Sequence, residues 1–184
     1  MKVLVAYASR YGSTKGIAEF VGQRLQAQGL QADVKDVKSV SDAEGYDAYV
    51  VGSAVFMFHW MKEAKQFLFR NEKALHGKPV WLFSSGPIGT SRTNAKGEDL
   101  LDVSVSGPKE IDELREAAKS RDHRIFFGAL EGSKLTGTTG FMYRIARRSE
   151  EARKSLAEGD FRNWNEIGAW ADSIAGDLRV APAA

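Results

Sequence analysis

The chain has no cysteine. That excludes disulfides, thiolate nucleophiles and iron–sulfur ligation, fits a reducing compartment, and leaves any redox chemistry to a bound cofactor. No apolar run approaches the roughly eighteen residues needed to span a bilayer. The N-terminal apolar run stops at Ser9-Arg10 without a small-residue cleavage pattern, so it reads as a strand and the cytoplasm is the expected location. Histidine is also scarce, at 3 residues. His76 and His123 have no second ligand at metal spacing, and no metal site is expected. There is no Walker A motif, no G-x-G-x-x-G and no G-x-S-x-G elbow, so the usual triphosphate, dinucleotide and serine-hydrolase signatures are missing. A net charge of +2 is too small to indicate a nucleic-acid binder.

What is present describes one globular domain. The 184 residues are 43% hydrophobic and 27% charged, ordinary values for a packed soluble chain, and no linker, repeat or low-complexity segment divides them. Val3 to Tyr7, Ala48 to Gly52, Val80 to Phe83 and Arg124 to Leu130 are nearly continuous apolar runs, the pattern of strands covered on both faces. Ala32 to Val37 alternates, as an edge strand would. Helical stripes lie between them: Ile17, Phe20, Val21 and Leu25, ending at Gly29; Met61 to Leu75; Pro108 to Ala118; and about Asn165 to Leu178. Strands alternating with helices predict an α/β fold, a three-layer, doubly wound five-stranded parallel sheet. The segments Gly86 to Ser106 and Gly132 to Gly159 stand outside this alternation as functional excursions or extra rim elements.

In such a sheet ligands bind beyond the carboxyl ends of the strands, where the strand order reverses. Three loops emerge there. Ser9-Arg10-Tyr11-Gly12-Ser13-Thr14 carries hydroxyls and a glycine into a helix N-terminus, which suits a phosphate; the plainer reading is a capped helix with Ser13 or Thr14 as N-cap. Ser53-Ala54-Val55-Phe56-Met57-Phe58 is followed by His59-Trp60 and can lie against a flat ring, or bury its aromatics at a strand-to-helix corner. Ser84-Ser85-Gly86-Pro87-Ile88-Gly89 offers hydroxyls and backbone amides to a ring edge, or forms a simple turn. Together they describe a site for a mononucleotide with a flat ring. His59 is the side chain best placed for a catalytic contact with substrate.

The SRYGST junction, the VVGSAVFMFHW segment and the FSSGPIG segment resemble the phosphate loop and the two ring-flanking loops of flavodoxin-like FMN proteins. SAVFMFHW, the FFGAL strand with the insertion after it, and the DFRNWNEIGAWADSI end are most similar to the menaquinone-dependent protoporphyrinogen dehydrogenase branch. The resemblance implies that Ser9 to Thr14 hold the FMN phosphate, Ser53 to Phe58 flank the isoalloxazine and Ser84 to Gly89 bond its polar edge. It also implies electron transfer through FMN to a quinone or another redox partner, with a tetrapyrrole as candidate substrate. An electron carrier with no substrate of its own is the alternative. Residues 140–148 mix apolar and basic side chains and read as a surface helix, as an interfacial helix touching the inner face of the cell membrane, or as a cover over a quinone or tetrapyrrole.

Overall fold

The computed structural model describes residues 1–146, 148 and 158–180. β1 (Lys2–Ala8) leads through Ser9–Gly12 into α1 (Ser13–Ala27), then β2 (Gln31–Asp36), β3 (Ala48–Phe56) and a short β4 (His59–Trp60). Next come α2 (Lys62–Arg70), α3 (Glu72–Leu75), β5 (Val80–Ser85), α4 (Val103–Ser106), α5 (Ile111–Ala118) and β6 (Asp122–Phe126). The described chain ends with β7 (Ala129–Leu130), α6 (Gly137–Ala146), β8 (Gly159–Asp160) and the last helix, α7 (Trp164–Val180).

The expected sheet forms. Its five parallel strands run in the order β2-β1-β3-β5-β6, with β4 folded back antiparallel on β3. The order reverses at β1, because the chain leaves it for β2 on one side and returns to β3 on the other. This switch point puts the loops after β1 and β3 at one crevice.

Two apolar layers sandwich the sheet. Ile17, Ala18, Val21 and Leu25 of α1 pack with Ile167, Trp170, Ala171, Ile174 and Leu178 of α7 on one face, over Val3, Val5, Val50 and Phe83. The other face holds Leu4, Tyr49, Val51 and Leu82 under Ala64, Phe67 and Leu68 of α2 and Ile111 and Leu114 of α5. Each such aliphatic side chain contributes about 1.5–3 kcal/mol by leaving water, and that burial fixes the sheet edge on which the loops sit.

Four local details depart from the sequence reading. The cap of α1 is Gly12, at φ +92, with no side-chain cap bond, so Ser13 and Thr14 are the first helical residues and not the N-cap. The Met61 to Leu75 helix is two helices parted at Asn71, whose Nδ2 donates to the Phe67 carbonyl at 2.8 Å. The Arg124 to Leu130 run is split as well: β6 ends at Phe126, and Ala129–Leu130 pairs antiparallel with Gly159–Asp160. The aromatic loop is a hairpin tip, since β3 continues to Phe56 and pairs with His59.

Candidate functional site

At the switch point the strand ends and the loops enclose a cleft of about 420 Å³. Ser9, Arg10, Tyr11, Ser13 and Thr14 line it from the first loop, Ala54, Val55 and Phe56 from β3, and Ser85, Gly86 and Ile88 from the loop after β5. The fourth wall is Gly128, Ala129 and Leu130 with Leu135 and Tyr143 from the insertion, a contribution the loop compositions did not signal. The structure therefore brings side chains from all three sequence-defined loops to one place.

The phosphate loop is ordered by its own hydroxyls. Ser9 Oγ accepts from Gly12 N at 3.1 Å, which turns the backbone into the left-handed geometry at Gly12. The Ser13 hydroxyl points inward: it accepts from Ala129 N at 2.9 Å and lies 3.2 Å from Ser85 Oγ. Ser13 thus ties the first loop to the third loop and to the insertion. Thr14 is 1% exposed, and its Oγ1 has no hydrogen-bond partner among the described residues. A buried hydroxyl without a partner costs about 1–3 kcal/mol, and this one lines the cleft in the first turn of α1, where the leading amides also lack intrahelical partners. The residues fit an anionic group at this end of the cleft.

At the other end the walls suit a flat ring. Tyr11, Val55, Phe56 and Ile88 are apolar or aromatic, and the Arg10 guanidinium lies 4.8 Å from the Phe56 ring and 5.4 Å from the Tyr11 ring. In the third loop, Gly86 N is used by Phe126 O at 3.2 Å, and Pro87 has no amide proton and accepts from Gly128 N through its carbonyl at 2.8 Å. Among the described residues the amides of Ile88 and Gly89 have no acceptor, which leaves them as donors for a ring edge.

Ser53 and Ser84 sit elsewhere. Both are fully buried on the α2 and α5 side of the sheet. Ser53 Oγ accepts from Met61 N at 3.0 Å, and Ser84 Oγ accepts from Trp60 Nε1 at 2.7 Å and lies 2.8 Å from His123 Nε2. These two serines brace the hairpin from beneath and do not face the cleft. Met57 and Phe58 form its tip, 75% and 54% exposed, outside the cleft lining.

His59 is on the outer side of the same hairpin. It borders a neighbouring cavity of about 610 Å³, shared with Lys38, Met61 and Glu63, and not the cleft itself. Its Nδ1 is 2.9 Å from Glu110 Oε2, while Glu110 Oε1 accepts from Trp60 N at 3.0 Å and pairs with Lys65 at 2.9 Å. Burial would raise the Glu110 carboxyl, but hydrogen bonds from Lys65 and His59 outweigh it and hold the group below the usual carboxylate range. Glu110 is therefore the anchor that fixes the hairpin against α5. Beneath it, burial and the nearby Arg115 push His123 down to about 4, so the ring that faces Ser84 is neutral. Among the described residues there is no cluster of metal-ligating side chains.

The chain matches the family model described as "Flavodoxin domain" over residues 4–156. Across 95% of both chains it is 23% identical to the protein named protoporphyrinogen IX dehydrogenase (quinone) of Escherichia coli K12. It is 31% identical to a flavodoxin-like domain-containing protein of Clostridioides difficile over 55% of each. Among solved structures, a flavodoxin from the domain Archaea superposes with a TM-score of 0.60 at 15% identity, covering 97% of this chain and 99% of that one. A single-site mutant of a flavodoxin from Pseudomonas aeruginosa superposes with a TM-score of 0.59 at 17% identity over the same shares. The strand order, the buried threonine at the head of α1 and the family match agree: the chain belongs to the flavodoxin domain family, and its cofactor is FMN.

Proposed function

We propose that this FMN protein is an oxidoreductase that exchanges electrons with a flat, apolar acceptor of the quinone class, on the protoporphyrinogen dehydrogenase branch of the family. The observation that carries this reading is the wall built by the insertion. Leu135 and Tyr143 of the insertion, with Leu130 of β7, line the same cleft as Val55 and Phe56 and add an apolar surface beyond what a phosphate loop and two ring loops supply. A carrier that only presents its ring edge to another protein has no need of such a wall. The full-length similarity to the Escherichia coli enzyme supports the same branch.

When bound, FMN supplies two-electron and one-electron transfer, and the protein supplies orientation and exclusion of water. Thr14 and the first amides of α1 hold the phosphate; Val55, Phe56 and Ile88 hold the ring; Leu135 and Tyr143 hold the apolar partner against it. His59, fixed by Glu110 at the back of the hairpin, is a candidate for contact with a bulky tetrapyrrole that overhangs the cleft.

Residues 140–148 belong to the same proposal. Phe141 and Ile145 are 55% and 41% exposed on α6, with Arg144 and Arg148 exposed nearby, which supports peripheral contact with the inner face of the cell membrane, where quinones reside. Arg147 lies outside the described residues. Among the described residues no helix is long and apolar enough to cross a membrane.

The deciding assay follows protoporphyrin fluorescence from protoporphyrinogen, with FMN-loaded protein and menadione as acceptor. Turnover that requires both FMN and the quinone is expected, and Leu135→Asp should abolish it while FMN stays bound. Electron exchange with a flavodoxin reductase but none with any quinone or porphyrinogen would replace this reading with that of a carrier.

A further inference from the structure

Arg162 is separated from the phosphate loop by 149 residues, yet its guanidinium rests on the first turn of α1. Nη1 donates to the Ser13 carbonyl at 3.3 Å, while Nε and Nη2 fork onto Asp160 at 2.7 and 2.6 Å. The plane stacks on Trp164 at 4.4 Å, and Trp164 is itself edge-on to Phe20 of α1 at 5.0 Å. The helix is notched to admit it: a methyl group on Gly16 would collide with Nη1. A guanidinium held by stacking, a carboxylate and a carbonyl has lost its freedom before any ligand arrives.

We propose that Arg162 is a positioning residue that sets the affinity of this site for the phosphate of FMN. The proposal rests on the FMN site and not on the identity of the electron acceptor. The Asp160–Arg162 pair is unevenly solvated: the Asp160 side chain is 44% exposed and that of Arg162 is 15% exposed. Water screens the carboxylate, whereas the cation looks into protein, so the pair leaves a net positive field at the first turn. Arg162 borders a neighbouring cavity and not the cleft itself, so it acts through the turn: its field adds to the helix dipole at the turn that carries the unpartnered Thr14 hydroxyl, which is buried in the cleft wall.

The other cations of this region are committed differently. The Arg10 guanidinium sits over the Tyr11 and Phe56 rings at the ring end of the cleft, and Lys15 pairs with Glu19 at 3.7 Å on the outer face of α1. Arg162 is also tied to the insertion. It follows β8, which pairs with β7, and the neighbouring Phe161 N donates to Gly128 O at 3.1 Å. Through Ser13, whose carbonyl meets Arg162 and whose hydroxyl meets Ala129 N, seating the phosphate and seating the insertion strengthen each other.

The test compares FMN with riboflavin, which lacks the phosphate, by quenching of flavin fluorescence on titration into apoprotein. Arg162→Gln is expected to weaken FMN about tenfold, as for the loss of a charge-assisted interaction, and to leave riboflavin affinity unchanged. Arg162→Lys, which keeps the charge but not the fork, should recover part of the FMN preference, and added salt should narrow the gap between wild type and Arg162→Gln. Equal losses for FMN and riboflavin would reduce Arg162 to a packing role, and unchanged FMN affinity in a folded variant would overturn the proposal. Should Arg162→Gln fail to fold, the ratio of the two affinities in Arg162→Lys decides, because an unaltered ratio with both affinities reduced is the packing outcome.

Discussion

At the scale of single residues, the Thr14 hydroxyl in the cleft wall has no partner among the described residues and His123 is held neutral, and each has a measurable consequence. Thr14→Val retains shape and removes the buried Oγ1 that has no partner. The apoprotein should be as stable as wild type or about 1 kcal/mol more so, while FMN affinity falls about tenfold for want of one hydroxyl contact; thermal melts of apoprotein and a flavin titration read the two effects separately. His123 carries a pH signature. Its folded pKa of about 4 lies below the ordinary 6.5, so below pH 6.5 the unfolded chain takes up a proton that the fold refuses. Stability is full above pH 6.5 and declines as pH falls toward 4, by about 3 kcal/mol in total. Urea unfolding between these pH values should show that slope in wild type and not in His123→Gln, which keeps a partner for Ser84 without titrating. Carboxylates held low and not coupled to His123, such as Asp33, titrate in both proteins and cancel in the difference. Not every residue role was legible in sequence. Ser53 shares its side of β3 with Tyr49 and Val51, and Ser84 shares its side of β5 with Val80 and Leu82, so strand parity alone would have turned both serines away from the cleft. Arg162 gave no comparable signal, because its meaning comes from a contact across 149 residues.

At the scale of elements, the sequence carried the strand and helix pattern because apolar burial has a period, and it missed whatever depends on turn chemistry. The hairpin is the clearest case. A tight turn in water is expected at Asn-Gly, not at Met-Phe, so nothing in Phe56-Met57-Phe58-His59 announced a reversal. Yet Met57 and Phe58 take φ values of 51 and 62, the left-handed pair that a two-residue β-hairpin demands. The geometry is enforced from outside: Glu110 grips Trp60 N and His59, and Lys109 N donates to Phe58 O at 2.9 Å. Left-handed backbone costs a residue with a Cβ about 1–2 kcal/mol. Both side chains are largely exposed, so little packing offsets that cost. Replacing the pair by Asn-Gly (Met57→Asn with Phe58→Gly) should raise the unfolding midpoint, with a net gain of about 1 kcal/mol once the added freedom of glycine in the unfolded chain is counted. An unchanged or lower midpoint would mean that the two side chains make contacts worth more than the strain. The Gly86 to Ser106 segment was equally opaque; it is a self-bonded loop that ends in α4. Asn94 Oδ1 accepts from Lys96 N and Glu98 N, and Arg92 joins Asp99 to Glu166 of α7.

At the scale of the whole molecule, the cleft is where distant parts of the chain are joined, and ligand binding should therefore be felt far from the ligand. Ser13 alone bonds to Ser85, Ala129 and Arg162, so the head of α1, the end of β5 and both edges of the insertion meet at one residue. Anything that binds the folded chain and not the unfolded one stabilises it by mass action, about 2.7 kcal/mol at a hundredfold excess over Kd. FMN should accordingly raise the melting temperature in a concentration-dependent way. The distribution of that gain is the sharper expectation. If the first loop were a detachable binding loop, hydrogen exchange would slow with FMN only near residues 9–14. With Ser13 as the junction, the amides of Gly128, Ala129 and Phe161 should slow as well, because their acceptors are Pro87 O, Ser13 Oγ and Gly128 O, all in segments that the phosphate and ring loops hold together. Protection confined to residues 9–14 would show the insertion to be an independent appendage. Protection reaching all three amides would show that the apolar wall and the phosphate site form one cooperative unit, so that an acceptor finds its wall in place only when FMN is seated.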